Sequence, residues 1–424
     1  MSLYSFSLLG RFFVVHEETG SFFEVDQPVF EKVQQGQCPD ELTAVLPEQP
    51  TLEWLRNQLE QRPRQLSALC LNVTHTCNMA CKYCFAQQGN YGGQQAVMDF
   101  AVAKDAVDLL MKSSSSWADI DFFGGEPLIA WDTVKQTLAY ATERAASKNK
   151  KVRFSLTTNG LLLTPDKLDV LDCYNVNLTL SLDGPKVVHD KFRVDRAGNG
   201  TFDKVMEAFK EVERRRQGKN YYVRGTFTHD TLNFSESVAF LVDQGFKTIS
   251  MEPVTGEGLP WSIKWTDLPI IEQEYERLAN LYLMRAKEGN DKRFYFYHFE
   301  LNPMNPPSVL RRFTGCGAGV EYLAVDPNGD IFPCHQFDNV LPYKMGNVGQ
   351  ATVKPQQPDF VKAHALNKKH CQECWARALC GGGCHADSFF TTGNIWGQNQ
   401  LSCEIVRMRL RYALAVNAVL QDFS

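Results

Sequence analysis

Apolar and polar positions divide the chain into three stretches of different period. Residues 1 to about 65 carry short apolar runs, Phe12-Phe13-Val14-Val15 and Phe22-Phe23-Glu24-Val25. Glu18-Thr19-Gly20-Ser21 between them reads as a hairpin turn. Pro28 opens a short helical stretch through Val29, Phe30 and Val33, and Leu52 to Leu59 reads as a second helix. The pattern predicts a small module of one β-hairpin and helices.

From 67 to about 290 strand and helix patterns alternate. Strands are expected at 68–74, 118–123, 151–158, 175–182, 220–228 and 246–252. Helices are expected near 99–112, 130–147, 164–172, 202–216, 234–244 and 268–287. Six βα units in series predict an α/β fold with a parallel sheet. Six fall short of the eight that close a full barrel, so a partial (β/α)6 TIM-like barrel is expected. Beyond about 305 periodicity is lost until a last helix near 403–422, and Gly, Pro and Cys become frequent. That region is expected to be held by its cysteines. The domain reading is therefore 1–66, 67–305 and 306–424.

The chain has 424 residues, enough for two or three domains. Formal net charge is −5, which argues against a nucleic-acid partner. No apolar run approaches a membrane span. The first ten residues lack a signal peptide's basic region and cleavage site, so a cytoplasmic protein is expected. Thirteen cysteines in such a protein suit metal clusters better than disulfides.

The chemistry begins at Cys77, Cys81 and Cys84, spaced C-x3-C-x-Tyr-C just after the first long strand. Three thiolates so close together hold three corners of a [4Fe–4S] cluster and leave the fourth iron open to a ligand. A zinc site would pair C-x2-C units and want a fourth protein ligand. Phe122-Phe123-Gly124-Gly125-Glu126-Pro127 ends the second strand. Its glycines let backbone approach a ligand, and Glu126 offers an acceptor for an ammonium group. Thr157-Thr158-Asn159-Gly160 and Ser181-Leu182-Asp183-Gly184 end the third and fourth strands, where α/β folds place ligands.

With these motifs the chain resembles the radical S-adenosylmethionine (SAM) enzymes. The resemblance implies that SAM chelates the open iron and that the glycine-rich motif, Gly124 to Pro127, binds its amino group. It further implies that Asn159 and Ser181 face the ribose or carboxylate, that Arg193 clamps the carboxylate, and that Tyr83 lies near the adenine. A reduced cluster then cleaves SAM, and a 5′-deoxyadenosyl radical abstracts hydrogen from a strong C–H bond.

A second cysteine set comprises Cys316, Cys334, Cys371, Cys374, Cys380, Cys384 and Cys403, spaced C-x12-G-x4-C, then C-x2-C-x5-C-x3-C, then a last cysteine. It resembles the SPASM extension of peptide-modifying radical SAM enzymes, which implies two auxiliary [4Fe–4S] clusters and three in all. By the family's ligation order Cys371, Cys374, Cys380 and Cys403 close one cluster. Cys316, Cys334 and Cys384 leave the other with an open iron, expected to take the thiolate of a substrate cysteine. Cys38, Cys70 and Cys173 are given no role.

Several stretches, among them Cys77 to Gly93, Asp121 to Leu128 and Tyr221 to Thr228, are similar to the SCIFF maturases within the ranthipeptide synthases. That similarity implies an oxidoreductase forming cysteine thioethers at a β- or γ-carbon of a Cys-rich ribosomal precursor peptide. It also implies a winged-helix-like domain in the first 66 residues that binds the precursor's leader, and an external flavodoxin- or ferredoxin-type reductant. Sactipeptide synthases, which attack Cα, and sulfatase-maturing enzymes are the alternatives. In the latter group an aspartate follows the cysteine matching Cys334 and acts as general base; here the position is His335, a candidate for that role.

Overall fold

A computed structural model of the chain describes residues 2–44, 51–61, 64–289, 292–301, 309–350 and 357–422. The N-terminal apolar runs form a three-stranded antiparallel sheet of β1 (Leu3–Leu8), β2 (Arg11–His16) and β3 (Phe22–Val25), in that spatial order. The expected hairpin is β2–β3; β1 is an addition. Leu9 and Gly10, both at positive φ, make the tight β1–β2 turn. Successive strand side chains point to opposite faces. Phe13 and Val15 therefore pack with Phe6, Leu410 and Leu414, while Val14 packs with Val33 and Leu42. Asp26 caps the helix Gln27–Gln34 by accepting from Val29 N at 3.0 Å.

This sheet belongs to one compact unit, residues 1–62, 264–316 and 361–424. The unit includes the short β10 (Tyr295–Phe296) and two long helices, Leu268–Glu288 and Gln400–Gln421. The helices pack together, with Tyr275 and Tyr412 stacked at 6.1 Å and Arg411 bonded to Glu272 at 2.7 Å.

The second unit, residues 63–263 and 317–360, holds the expected parallel sheet. Strands β4 (Ala68–Thr74), β5 (Trp117–Gly124), β6 (Lys151–Thr158), β7 (Asn177–Ser181), β8 (Tyr221–Phe227) and β9 (Thr248–Pro253) lie side by side in chain order. Helices separate them, including Lys186–Phe192, which the periodicity did not predict. The sheet stays open: β4 pairs on its free side with β11 (Tyr322–Val325), in parallel, and not with β9. β12 (Asp330–Phe332) and β13 (Gly346–Asn347) follow antiparallel. A partial barrel is thus observed, extended by short strands from the region expected to be irregular. β4 is buried along almost its whole length, as a central strand with both faces covered should be. β5 buries Ala118, Ile120 and Phe122 on one face and half-buries Phe123 on the other. Among the described residues no helix is long and apolar enough to cross a membrane.

Candidate active site

Strands β4 to β9 end around one cavity of about 210 Å³, lined by residues from all six strand ends and by His335 and Gln336 after β12. Every SAM-site residue expected from sequence lines it except Pro127. Cys77, Cys81, Tyr83, Cys84, Gly124, Gly125, Glu126, Asn159, Ser181, Arg193 and His335 are brought together. Pro127 is buried and starts the short turn Pro127–Ala130.

The cysteine loop is built by backbone contacts. Gly125 N donates to Thr74 O at 2.8 Å and Glu126 N to Thr76 O at 3.0 Å. A Cβ on Gly125 would stand 2.2 Å from Thr76 O, and Gly124, at φ +126°, would meet Thr74 O at 2.3 Å. Only glycine lets β5 and the loop approach this closely. On the other side Ala80 N donates to Val194 O at 2.8 Å and Lys82 N to Phe192 O at 3.0 Å. Arg196 bonds the carbonyls of Cys77 and Gln88 at 2.9 and 3.2 Å.

Glu126 also has partners within the protein. Its carboxylate accepts from Leu128 N at 3.1 Å, Thr158 Oγ1 at 2.9 Å and Asn159 N at 2.8 Å. These bonds fix the ends of β5 and β6 and leave about one of a carboxylate's four lone-pair sites for a ligand. Burial pushes its pKa up to about 7 against these donors. Asn159 Nδ2 donates to Asn78 Oδ1 at 2.8 Å and lies 3.7 Å from Cys77 Sγ.

Arg193 meets a protein carboxylate already. Its Nε is 3.0 Å from Asp183 Oδ1, and its guanidinium covers the Tyr83 ring at 5.5 Å. Asp183 also accepts from the Tyr83 hydroxyl and from Thr226 N. Burial alone would lower the Arg193 pKa, but Asp183 and Tyr83 hold it well above its usual value. Asp183 therefore orients both Arg193 and Tyr83, a role left unassigned by sequence although it lies in the Ser181–Gly184 motif. Arg224 and Glu252 also line the cavity and were missed. Strand-interior charged residues at positions 224 and 252 were the available signal.

His335 Nδ1 shares a 3.0 Å hydrogen bond with the Tyr322 hydroxyl, and its ring packs 4.8 Å from Phe123. Burial, then the Arg224 charge, lowers its pKa to about 4. The imidazole is neutral at physiological pH.

Burial first, then Glu126, pushes the Cys77 thiol up to about 12. Burial raises Cys81 to about 11 against the nearby Arg193. Met79 N lies 3.4 Å from Cys77 Sγ. Soft sulfur donors with N–H groups aimed at them suit an iron–sulfur cluster. Among the described residues no three His, Cys, Asp or Glu side chains meet closely enough for one metal ion; a cluster instead takes one thiolate at each separate iron.

The second cysteine set divides between the units. Cys334 belongs to the barrel unit, and Cys316, Cys371, Cys374, Cys380, Cys384 and Cys403 to the other. Within that unit Cys371, Cys374, Cys380 and Cys403 act on one another electrostatically, and Cys316 acts on Cys384. Burial raises Cys371 to about 11 and Cys403 to about 12. Gln398 Nε2 donates to Cys371 Sγ, and Arg407 Nη1 lies 3.8 Å from Cys374 Sγ. These four thiols also fit a cluster.

The chain matches the radical SAM superfamily over residues 71–236 and the SPASM iron–sulfur cluster-binding domain over residues 316–375. It is 23% identical over 364 residues to the radical SAM cyclopropyl synthase TigE of Paramaledivibacter caminithermalis, spanning 82% of this chain and 74% of that protein. It is 24% identical over 338 residues to a cysteine-type anaerobic sulfatase-maturating enzyme of Clostridium perfringens, spanning 75% and 88%. The structure of native anSMEcpe with bound AdoMet and Kp18Cys peptide superposes with a TM-score of 0.70 at 21% identity, covering 84% of this chain and 99% of that one. That likeness establishes the fold.

Proposed function

We propose that this chain, which carries a radical SAM domain followed by a SPASM iron–sulfur domain, joins a cysteine sulfur to a β- or γ-carbon in a ribosomally made precursor peptide. The observation that carries the reading is the cavity, which gathers three thiols, Asn159, Ser181 and Arg193 beside His335. A neutral imidazole occupies the position where the sulfatase-maturing group has its aspartate base. The sulfatase-maturating relative, and the neighbour whose structure holds AdoMet with a peptide, support a polypeptide as substrate.

In this reading Cys77, Cys81 and Cys84 hold a [4Fe–4S] cluster with one open iron for SAM. When bound, the pair supplies one-electron cleavage of SAM and hydrogen abstraction from a C–H bond. Asp183 keeps the Arg193 guanidinium charged and aimed, Glu126 fixes the backbone of Asn159, and Tyr83 offers an aromatic face. Phe85 and Phe123 give the cavity wall two aromatic faces. His335, on the cavity wall, is the group this reading assigns to proton exchange with the substrate. Cys371, Cys374, Cys380 and Cys403 would hold one auxiliary cluster; Cys316, Cys334 and Cys384 would be the ligands of a third, whose open iron would suit the substrate thiolate. The N-terminal sheet, whose β1 and β3 are each paired on one side only within it, receives the leader by strand addition. A flavodoxin or ferredoxin supplies electrons.

The test is anaerobic incubation of the reconstituted enzyme with SAM, reductant and the Cys-rich peptide encoded beside the gene, followed by tandem mass spectrometry. Loss of two hydrogens per cross-link, with fragments placing the bond on a β- or γ-carbon, is expected. A Cα bond would make this a sactipeptide synthase. A formylglycine product would put it with the sulfatase-maturing group.

A further inference from the structure

Lys368 is 0% exposed. Its Nζ lies 3.0 Å from the Gly382 carbonyl oxygen and 3.5 Å from His385 Nδ1. Among the described residues no carboxylate pairs with it. A buried ammonium lacking a counter-ion is costly, and native proteins pair such charges or coordinate them. Burial works against its charge, and Cys371, Cys384, Cys380 and Cys403 act electrostatically in favour of it. Two further donors face thiols of the Cys371–Cys374–Cys380–Cys403 set, Gln398 on Cys371 and the Arg407 guanidinium 3.8 Å from Cys374. A cluster held by four thiolates is an anion. Its potential is set by net charge, hydrogen bonds to sulfur and solvent exposure.

We propose that Lys368 is the built-in counter-charge of the cluster held by Cys371, Cys374, Cys380 and Cys403, and that it raises that cluster's reduction potential so that it accepts the electron released in cross-linking. The inference rests on the ligand set proposed above. The electron balance requires such an acceptor. When a carbon radical and a thiolate form a C–S bond, one electron is left over; the thiol proton has already departed, and the abstracted hydrogen has gone with 5′-deoxyadenosine. That electron reduces this cluster by one unit. Lys368 does not line the cavity and acts as a positioning residue for charge.

The decisive variant is Lys368→Gln, which keeps a donor for Gly382 but removes the charge. EPR-monitored redox titration of the reconstituted full chain should show this cluster's midpoint moved to lower potential, by at least tenfold in the reduction equilibrium, or 59 mV for one electron. The signal of the Cys77–Cys81–Cys84 cluster should stay in place. An unmoved midpoint overturns the proposal. If Lys368→Gln fails to retain iron, Lys368→Arg decides. Iron and midpoint both at wild-type values support the charge; loss in both variants reduces Lys368 to packing and overturns it. Cys403→Ala separates this from the underlying reading. If Cys403→Ala leaves iron content and the auxiliary EPR signal unchanged, the ligand set itself is wrong and the inference falls with it.

Discussion

At the scale of single residues the site is governed by close backbone approach and by one buried carboxyl. Gly125 is the tightest point, since a Cβ there would overlap Thr76 O. Gly125→Ala should push the cysteine loop off β5 and cost about 1–3 kcal/mol of stability. It should also abolish iron–sulfur absorbance from the Cys77–Cys81–Cys84 site; a variant with unchanged absorbance and thermal midpoint would show that the approach relaxes freely. Glu126 gives a pH signature. Its folded pKa, about 7, lies above the ordinary value of 4.5. Folding therefore favours the neutral carboxyl, and this contribution is whole below about pH 4.5 and lost as pH rises through 7. The apoprotein of Glu126→Gln should lose less stability between pH 5 and pH 8 than the native chain does. The difference is on the order of 2 kcal/mol, read from urea midpoints. Parallel curves would mean that Leu128, Thr158 and Asn159 hold Glu126 ionised throughout.

At the scale of elements the cysteine loop depends on the segment after helix Lys186–Phe192. Residues 192–196 grip it through two backbone bonds to the carbonyls of Phe192 and Val194 and through Arg196. Arg196→Ala removes two carbonyl bonds, each worth about 1 kcal/mol. It should speed loss of the SAM-site iron to a chelator while the Cys371–Cys403 iron leaves at its native rate; equal rates would mean the two backbone bonds suffice. This element also marks where the sequence became hard to read. The strands β4 to β9 were legible because they are five residues or longer and carry a run or alternation of apolar residues. Helix Lys186–Phe192 spans seven residues and buries a histidine, with His189 bonded to Thr201, so no apolar stripe announces it. β11, β12 and β13 are four, three and two residues long, too short for any period to emerge. The cysteines and strand-end motifs were legible as chemistry without structure. Asp183 was in plain view within its motif, but its triple role depends on Tyr83 and Thr226, which lie 100 and 43 positions away.

At the scale of the whole molecule, chain order and compact units part company. Helix Leu268–Glu288 follows the sixth barrel strand, and its apolar stripe of Ile271, Tyr275 and Leu278 shows that it packs without saying against what. It belongs with helix Gln400–Gln421 and the N-terminal sheet rather than with the strands it follows. Two cysteine groups follow this division. The three at the cavity lie in the unit of the parallel sheet, and the four mutually acting thiols lie in the other. Each set is therefore built by its own packing, and disruption of one should leave the other loaded. The chain with Cys77, Cys81 and Cys84 all changed to Ala should retain about two thirds of the wild-type iron if three clusters are present. It should produce no 5′-deoxyadenosine. The chain with Cys371→Ala and Cys374→Ala should keep the cavity cluster and still cleave SAM, but release peptide without a cross-link, because the electron left by C–S bond formation has lost its acceptor. Iron analysis, deoxyadenosine yield and product mass from the same samples read all three. If the second variant also stops cleaving SAM, the two cysteine sets are structurally coupled and the division of labour between them fails.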